Sequence, residues 1–199
     1  MRNNPFSSPS WVGAYLIFGC LGLLFFSEPL LKQRPRQFEV VSSGSSLQTS
    51  IPVNKALLEL KSNKAFSLEE LLAKTQRPNG KLLVNFWATW CEPCIEEVPT
   101  LATLAGQLQN QSDPSLPTLV TISVDEKAEA VRKFEKTLSR PLPFLVLHDP
   151  DGSFSRQLGV TKFPETFLID SKGKILQKWI GPQDWLSLEV LQTLKKSCT

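Results

Sequence analysis

Two cysteines separated by two residues, Cys91 and Cys94, stand where an apolar run passes into a helical pattern, and that placement suits thiol chemistry. A cysteine at the start of a helix meets unpaired N–H groups and the positive end of the helix dipole, and both stabilise an anion. Such a site lowers a thiol pKa from about 8.5 into the range where thiolate is abundant at neutral pH. The thiolate is the species that attacks a disulfide. A second cysteine one turn later is placed to attack the resulting mixed disulfide and release the partner. Pro93 fits the first turn, where its missing N–H is no loss. Glu92 sets a negative charge beside the thiolate and raises the pKa of Cys91 relative to a neutral residue there. A less stabilised thiolate makes a weaker oxidant, so the pair leans toward reducing its partners.

The competing reading of such a pair is half of a zinc site. A tetrahedral site takes about four ligands, and beyond the pair the sequence offers His148, which reads as a solvated or capped residue at a strand end, and Cys198. No metal and no cofactor is therefore expected. The other cysteines, Cys20 in an apolar run and Cys198 beside the C-terminus, leave redox or metal chemistry at one place rather than a disulfide scaffold. Hydrophobic residues make up 41% and charged residues 21%, as in an ordinary globular chain, and the net charge of +3 with scattered basic residues does not argue for nucleic acid.

The elements that must position the pair follow from pattern. Leu82-Leu83-Val84-Asn85-Phe86-Trp87-Ala88 reads as a central strand buried on both faces, with Trp87 in the core. The turn signal Asn79-Gly80 precedes it. Val98, Leu101, Leu104 and Leu108 carry a helix after the pair. Upstream, Ser67 with Glu70 forms a capping-box pattern, and Leu68, Leu71 and Leu72 supply the stripe of a short helix. Leu119 to Val124 is a second buried strand, followed by a helix with Ala128, Val131, Phe134 and Leu138 at helical spacing. Phe144 to Leu147 is a third strand, ended by the turn Asp149-Pro150-Asp151-Gly152. Thr166 to Asp170 and Lys174 to Ile180 are strands joined by Ser171-Lys172-Gly173. Trp185, Leu188, Leu191 and Leu194 mark a final helix. This order predicts an α/β fold with a mixed central sheet flanked by helices.

Residues 1–10 read as a tail. From Trp11 to Phe26 there is no charged residue, and extension to Leu31 makes a membrane span of about 30 Å possible. Residues 11–31 are therefore expected to be a transmembrane anchor. A cleaved signal sequence is the alternative, although Ser27-Glu28-Pro29-Leu30 lacks the small-residue cleavage pattern; a lipoprotein signal ending at Cys20 is another. Residues 32–50 have linker composition, which leaves 51–199 as the catalytic domain. Arg2 before the span and Lys32, Arg34 and Arg36 after it would place that domain in the cytoplasm by the positive-inside rule. Disulfide chemistry favours the opposite side, and the two indications conflict.

The stretch Phe86-Trp87-Ala88-Thr89-Trp90-Cys91-Glu92-Pro93-Cys94 resembles the active-site signature of the thioredoxin superfamily. With the N-terminal run, the Ser123-Val124-Asp125-Glu126 segment and Phe163-Pro164-Glu165-Thr166-Phe167-Leu168-Ile169-Asp170, the chain is similar to the TlpA/ResA/CcmG-like branch of membrane-anchored bacterial thiol–disulfide oxidoreductases over about residues 60–195. The resemblance implies a thioredoxin-like fold. It implies that Cys91 attacks and Cys94 resolves, and that Pro164 is a cis-proline facing the pair. It further implies that the Phe163 backbone pairs with an extended substrate segment by strand addition, and that Trp90 is an exposed aromatic beside the nucleophile. The strand position where thioredoxins carry a buried aspartate is Asn85, which cannot exchange a proton. Glu126 matches a glutamate of that branch and is the candidate proton acceptor for Cys94, with a plain first-turn helix acid as its other reading.

The implied setting is the inner membrane, single-pass, with the domain on the periplasmic side. There it would act as a monomer on protein disulfides, with cytochrome c maturation as the implied role, and be re-reduced by a membrane thiol donor. Two other functions are weighed against this one. Peroxiredoxins share the fold, but Val84 and Ala88 stand where their pattern needs proline and threonine. A metallochaperone on the same scaffold would leave the intact Trp-Cys-Glu-Pro-Cys motif unused.

Overall fold

The computed structural model describes residues 51–74, 80–111, 113 and 116–197. The segment expected to anchor or be cleaved, the linker, Cys20, Cys198 and Asn79 lie outside the described residues. Among those residues no helix is long and apolar enough to cross a membrane.

Among the described residues, seven strands form one mixed sheet. In chain order they are β1 (Leu57–Glu59), β2 (Ala65–Phe66), β3 (Leu82–Trp87), β4 (Thr118–Ser123), β5 (Leu145–His148), β6 (Glu165–Ile169) and β7 (Ile175–Ile180). Across the sheet the order is β2-β1-β5-β4-β3-β6-β7. The three central strands run parallel, β3 beside β4 and β4 beside β5. The flanking pairs β3–β6, β6–β7, β1–β5 and β1–β2 are antiparallel. Five helices are described: α1 (Leu68–Lys74), α2 (Glu92–Asn110), α3 (Ala128–Glu135), α4 (Ser153–Gln157) and α5 (Leu188–Lys196). The expected mixed α/β architecture is present.

Side-chain alternation on β3 sorts the core into layers. Leu82, Val84 and Phe86 face the side covered by Leu68, Leu71 and Leu72 of α1 and Phe154 of α4. Leu83 faces the opposite side, where Leu101, Leu104 and Leu108 of α2 pack with Val190 and Leu194 of α5. Trp87, at the carboxyl end of β3, packs with Cys91, Cys94 and Val131 of α3 in a third cluster around the pair. Asn85 falls on the α2 side of the strand, the same side as Leu83.

Local chemistry explains most element ends. The capping box at α1 closes reciprocally: Glu70 N donates to Ser67 Oγ at 3.1 Å, and Ser67 N donates to Glu70 Oε2 at 2.9 Å. At the β6–β7 turn, Gly173 has φ +76°, and a Cβ there would come within 2.8 Å of Val53 and 3.1 Å of the Ile51 carbonyl. Only glycine fits, and its carbonyl accepts from Ile51 N at 2.9 Å.

Several expectations are corrected by the fold. The final helix starts at Leu188, after Trp185, and its buried face is Val190 and Leu194; Leu188 is 71% exposed. Ser187 is the N-cap and accepts from Val190 N, so capping set the start that the apolar spacing had placed earlier. The helix α3 ends at Glu135, short of Leu138. The predicted turn at 149–152 leads directly into α4, whose first N–H groups are bound by the buried Asp149 carboxylate, Phe154 N at 3.1 Å and Ser155 N at 2.8 Å. The short strands β1 and β2 carry too few residues for alternation to be visible.

Candidate active site

Cys91 is the N-cap of α2, with Pro93 in its first turn. The Cys91 carbonyl accepts from Cys94 N at 3.0 Å and Ile95 N at 3.1 Å, so the helix begins within the motif itself. The two sulfurs are joined in a disulfide with Cα atoms 5.2 Å apart. Cys94 is 1% exposed and Cys91 7%, so Cys91 is the outer member of the pair. Glu92 is exposed beside them.

The loop before the pair is tied to the next strand. The Asp125 carboxylate is buried and accepts from Thr89 N at 3.0 Å, Thr89 Oγ1 at 2.6 Å and Ser123 Oγ at 2.8 Å. The Asp125 carbonyl is 2.7 Å from His148 Nε2. His148 is thus a buried partner of the β4 end, where a solvated or capped residue was expected. Val124 N donates to the Trp87 carbonyl at 3.0 Å, a further tie between the two strand ends.

Trp90 projects from this loop and is 66% exposed, the expected exposed aromatic. Its ring meets that of Phe163 edge-to-face, with centroids 5.8 Å apart. The Phe163–Pro164 peptide bond is cis. The Pro164 carbonyl accepts from Gly181 N at 2.8 Å. Trp90, Phe163 and the cysteine pair are therefore brought to one end of the sheet, at the carboxyl end of β3.

Glu126 is exposed, one residue beyond Asp125. The buried acid on the helix of the pair is a residue that the sequence reading passed over. Glu97 lies on α2 three positions after Cys94, a spacing that places two side chains as neighbours on one helix face. Glu97 Oε1 accepts from Asn85 Nδ2 at 2.8 Å, and Oε2 accepts from Trp185 Nε1 at 3.0 Å and Gln183 N at 3.2 Å. Asn85 Nδ2 also donates to Thr166 Oγ1 at 3.0 Å. Burial pushes the Glu97 carboxyl up to about 7, and the hydrogen bonds from Gln183, Asn85 and Trp185 oppose that rise. A carboxyl so poised exchanges a proton near neutral pH. The signal that could have found it is an acid within the apolar stripe Cys94, Val98, Leu101, Leu104: an exposed helix acid belongs on the other face.

Among the described residues, no group of three or more histidine, cysteine or acidic side chains stands together as a metal site would need.

A model of the Redoxin family matches residues 50–192. A thiol:disulfide interchange protein DsbE homolog of Paracoccus denitrificans is 35% identical over 113 residues, which are 57% of this chain and 58% of that protein. The thiol-disulfide oxidoreductase ResA of Bacillus thuringiensis is 34% identical over 115 residues, 58% of this chain and 62% of the relative. The chain thus spans about three-fifths of the length of these relatives. In three dimensions, a crystal structure of a thioredoxin-family thiol:disulfide interchange protein from Chlorobium tepidum superposes with a TM-score of 0.58 at 22% identity, covering 78% of this chain and all of that one, and shares the fold.

Proposed function

The chain belongs to the Redoxin family, and we propose that it is a thiol–disulfide oxidoreductase that reduces protein disulfides through Cys91 and Cys94. The observation that carries this reading is the bonded cysteine pair at the head of α2, outer Cys91 and inner Cys94, with a buried acid one turn further along the same helix.

In the reduced protein, the Cys91 thiolate attacks one sulfur of a substrate disulfide, forms a mixed disulfide and expels the other sulfur as a thiolate. Cys94 then gives its proton to the Glu97 carboxylate and attacks Cys91 Sγ. The substrate's second sulfur leaves as a thiolate. Two electrons have passed to the substrate, and the protein is left with the Cys91–Cys94 disulfide. Glu97 takes the role first expected of Glu126: it is buried, it neighbours Cys94 on the helix, and its protonation state changes near neutral pH. Trp90 and Phe163 form the aromatic edge against which an extended substrate segment lies, beside Pro164.

The reductive direction rests on Glu92, whose charge disfavours the Cys91 thiolate, and on the resemblance to the TlpA/ResA/CcmG-like branch. That branch also suggests the setting: residues 11–31 as a membrane anchor, 32–50 as a tether, the domain on the outer face of the cytoplasmic membrane, a cytochrome c maturation substrate, and a membrane dithiol donor that restores the reduced pair.

Equilibration in glutathione and dithiothreitol buffers tests the chemistry. The pair should convert between disulfide and dithiol in one two-electron step. A pair that does not respond sinks the proposal, and a potential as high as about −120 mV, typical of strong oxidants, would overturn the reductive direction.

A further inference from the structure

Two of the three hydrogen bonds on the Glu97 carboxyl come from the segment that joins β7 to α5, and one donor, the Trp185 indole, is 88 positions away in sequence. Trp185 is completely buried, and its ring meets Trp179 edge-to-face at 5.7 Å. That packing asks for an aromatic ring and does not require an indole N–H. The contrast with Trp179 is direct: its own buried Nε1 has no hydrogen-bond partner among the described residues, whereas Trp185 Nε1 donates to Glu97 Oε2.

We propose that Trp185 is a positioning residue for proton transfer at the cysteine pair: with Gln183 N it occupies Glu97 Oε2, so that the proton from Cys94 enters and leaves at Oε1. Among the described residues Oε2 accepts two N–H groups and Oε1 one. A carboxyl oxygen that takes up a proton becomes a poorer acceptor, so protonation costs least at the oxygen with fewer donors. The inference rests on Glu97 being the proton acceptor, and it ties the C-terminal segment to the redox centre.

The charged groups around Glu97 leave this assignment to the hydrogen bonds. Asn85 from β3 and, through it, Thr166 from β6 are neutral. Glu165 and Lys178, the sequence neighbours of Thr166 and Trp179, point to the opposite face of the sheet and pair with each other at 3.0 Å. Asp184 between the two donors is exposed, with Oδ1 accepting from Leu186 N. Glu96 on α2 is exposed.

The test follows decay of the mixed disulfide formed when the reduced protein meets oxidised glutathione, quenched in acid and quantified by mass across pH 5–9. In the wild type the decay rate rises as Glu97 ionises. Trp185→Phe keeps the ring and removes the donor, and it should raise the midpoint of that rise by roughly one pH unit. In a Glu97→Gln background the rise centred on Glu97 ionisation should be lost, leaving only the steady increase from direct ionisation of Cys94, and Trp185→Phe should not alter that remaining profile. If Glu97→Gln removes the rise but Trp185→Phe leaves the wild-type midpoint in place, the positioning role is wrong and the proton-acceptor reading stands. If Glu97→Gln leaves the rise intact, the reading of Glu97 fails and takes this inference with it. Should Trp185→Phe fail to fold, the wild-type Trp185 indole N–H resonance decides: it should titrate in the oxidised protein, whereas a flat response overturns the proposal.

Discussion

The Asp125 carboxylate holds Thr89 by both its backbone N–H, at 3.0 Å, and its hydroxyl, at 2.6 Å. Thr89 is two residues before Cys91, so this contact fixes the loop that presents Trp90 and the outer cysteine from the end of a neighbouring strand. The carboxylate is buried and also accepts from Ser123 Oγ. Asp125→Ala would leave three donors without their acceptor, and unpaired buried donors cost more than the net worth of the bonds. The variant should be destabilised by about 3 kcal/mol, read as a lower urea midpoint at unchanged slope. Its disulfide-exchange rate should fall roughly tenfold as the loop loses its orientation. An unchanged rate in folded Asp125→Ala would show that the contact does not position Cys91.

Glu97 makes stability depend on pH in a direction opposite to that of an ordinary ion-paired acid. Its carboxyl is raised from 4.5 to about 7, chiefly by burial. Between those values the folded protein holds a proton that the unfolded chain has released, so stability falls as pH rises. The contribution is complete below pH 4.5 and is lost as pH climbs through about 7. Its size is about 3 kcal/mol by linkage. Urea midpoints of the oxidised protein should therefore drop between pH 5 and 8, and Glu97→Gln should flatten that slope. A wild-type protein equally stable across the window would contradict the burial of a protonated Glu97.

Legibility followed the range of the interactions. The capping box at Ser67 and Glu70 is local and closes as read. The strand Leu82–Trp87 is legible because a short continuous apolar run after a turn signal fits a strand covered on both faces better than a helix of ordinary length. The cysteine pair and Pro93 fell at the helix start because N-terminal chemistry is also local. The site acids were harder to read. Asn85 was recognised as unable to exchange a proton, but its partner Glu97 is 12 positions on, across the strand–helix corner. Spacing places Trp185 on the final helix, whereas it sits ahead of that helix and reaches Glu97 from the far end of the fold. Of the adjacent acids Asp125 and Glu126, the buried one is Asp125. Resolving that needed the direction of the chain after β4, which periodicity within a six-residue strand does not specify.

Glu165, next to the cis-proline, is a buried acid whose Oε2, among the described residues, has only an ion pair with Lys178, at 3.0 Å. Lys178 also lies over the Phe167 ring, 5.0 Å from its centroid. Lys178 is partly exposed, but removing it strands the charge of the buried Glu165. Lys178→Met should therefore cost about 3–5 kcal/mol, visible in urea unfolding. Adding Glu165→Gln should recover most of the loss, because the stranded charge is then absent. If the double variant is no more stable than Lys178→Met alone, the ion pair is not what satisfies Glu165.

The proposed order of the two cysteines, for which their burial argues, is open to covalent capture. In the proposed mechanism Cys94, the inner sulfur, resolves an attack begun by Cys91. Cys94→Ser should leave Cys91 able to attack but unable to be released, so a mixed disulfide with the substrate protein accumulates and is seen as a heavier band that collapses on reduction. Cys91→Ser should give no such band, because Cys94, 1% exposed, cannot meet a folded partner. The double variant serves as the blank. The captured partner identified by mass spectrometry names the substrate class, and its bonded cysteine marks the first sulfur attacked. Equal capture by Cys91→Ser and Cys94→Ser would reverse or erase the assigned order.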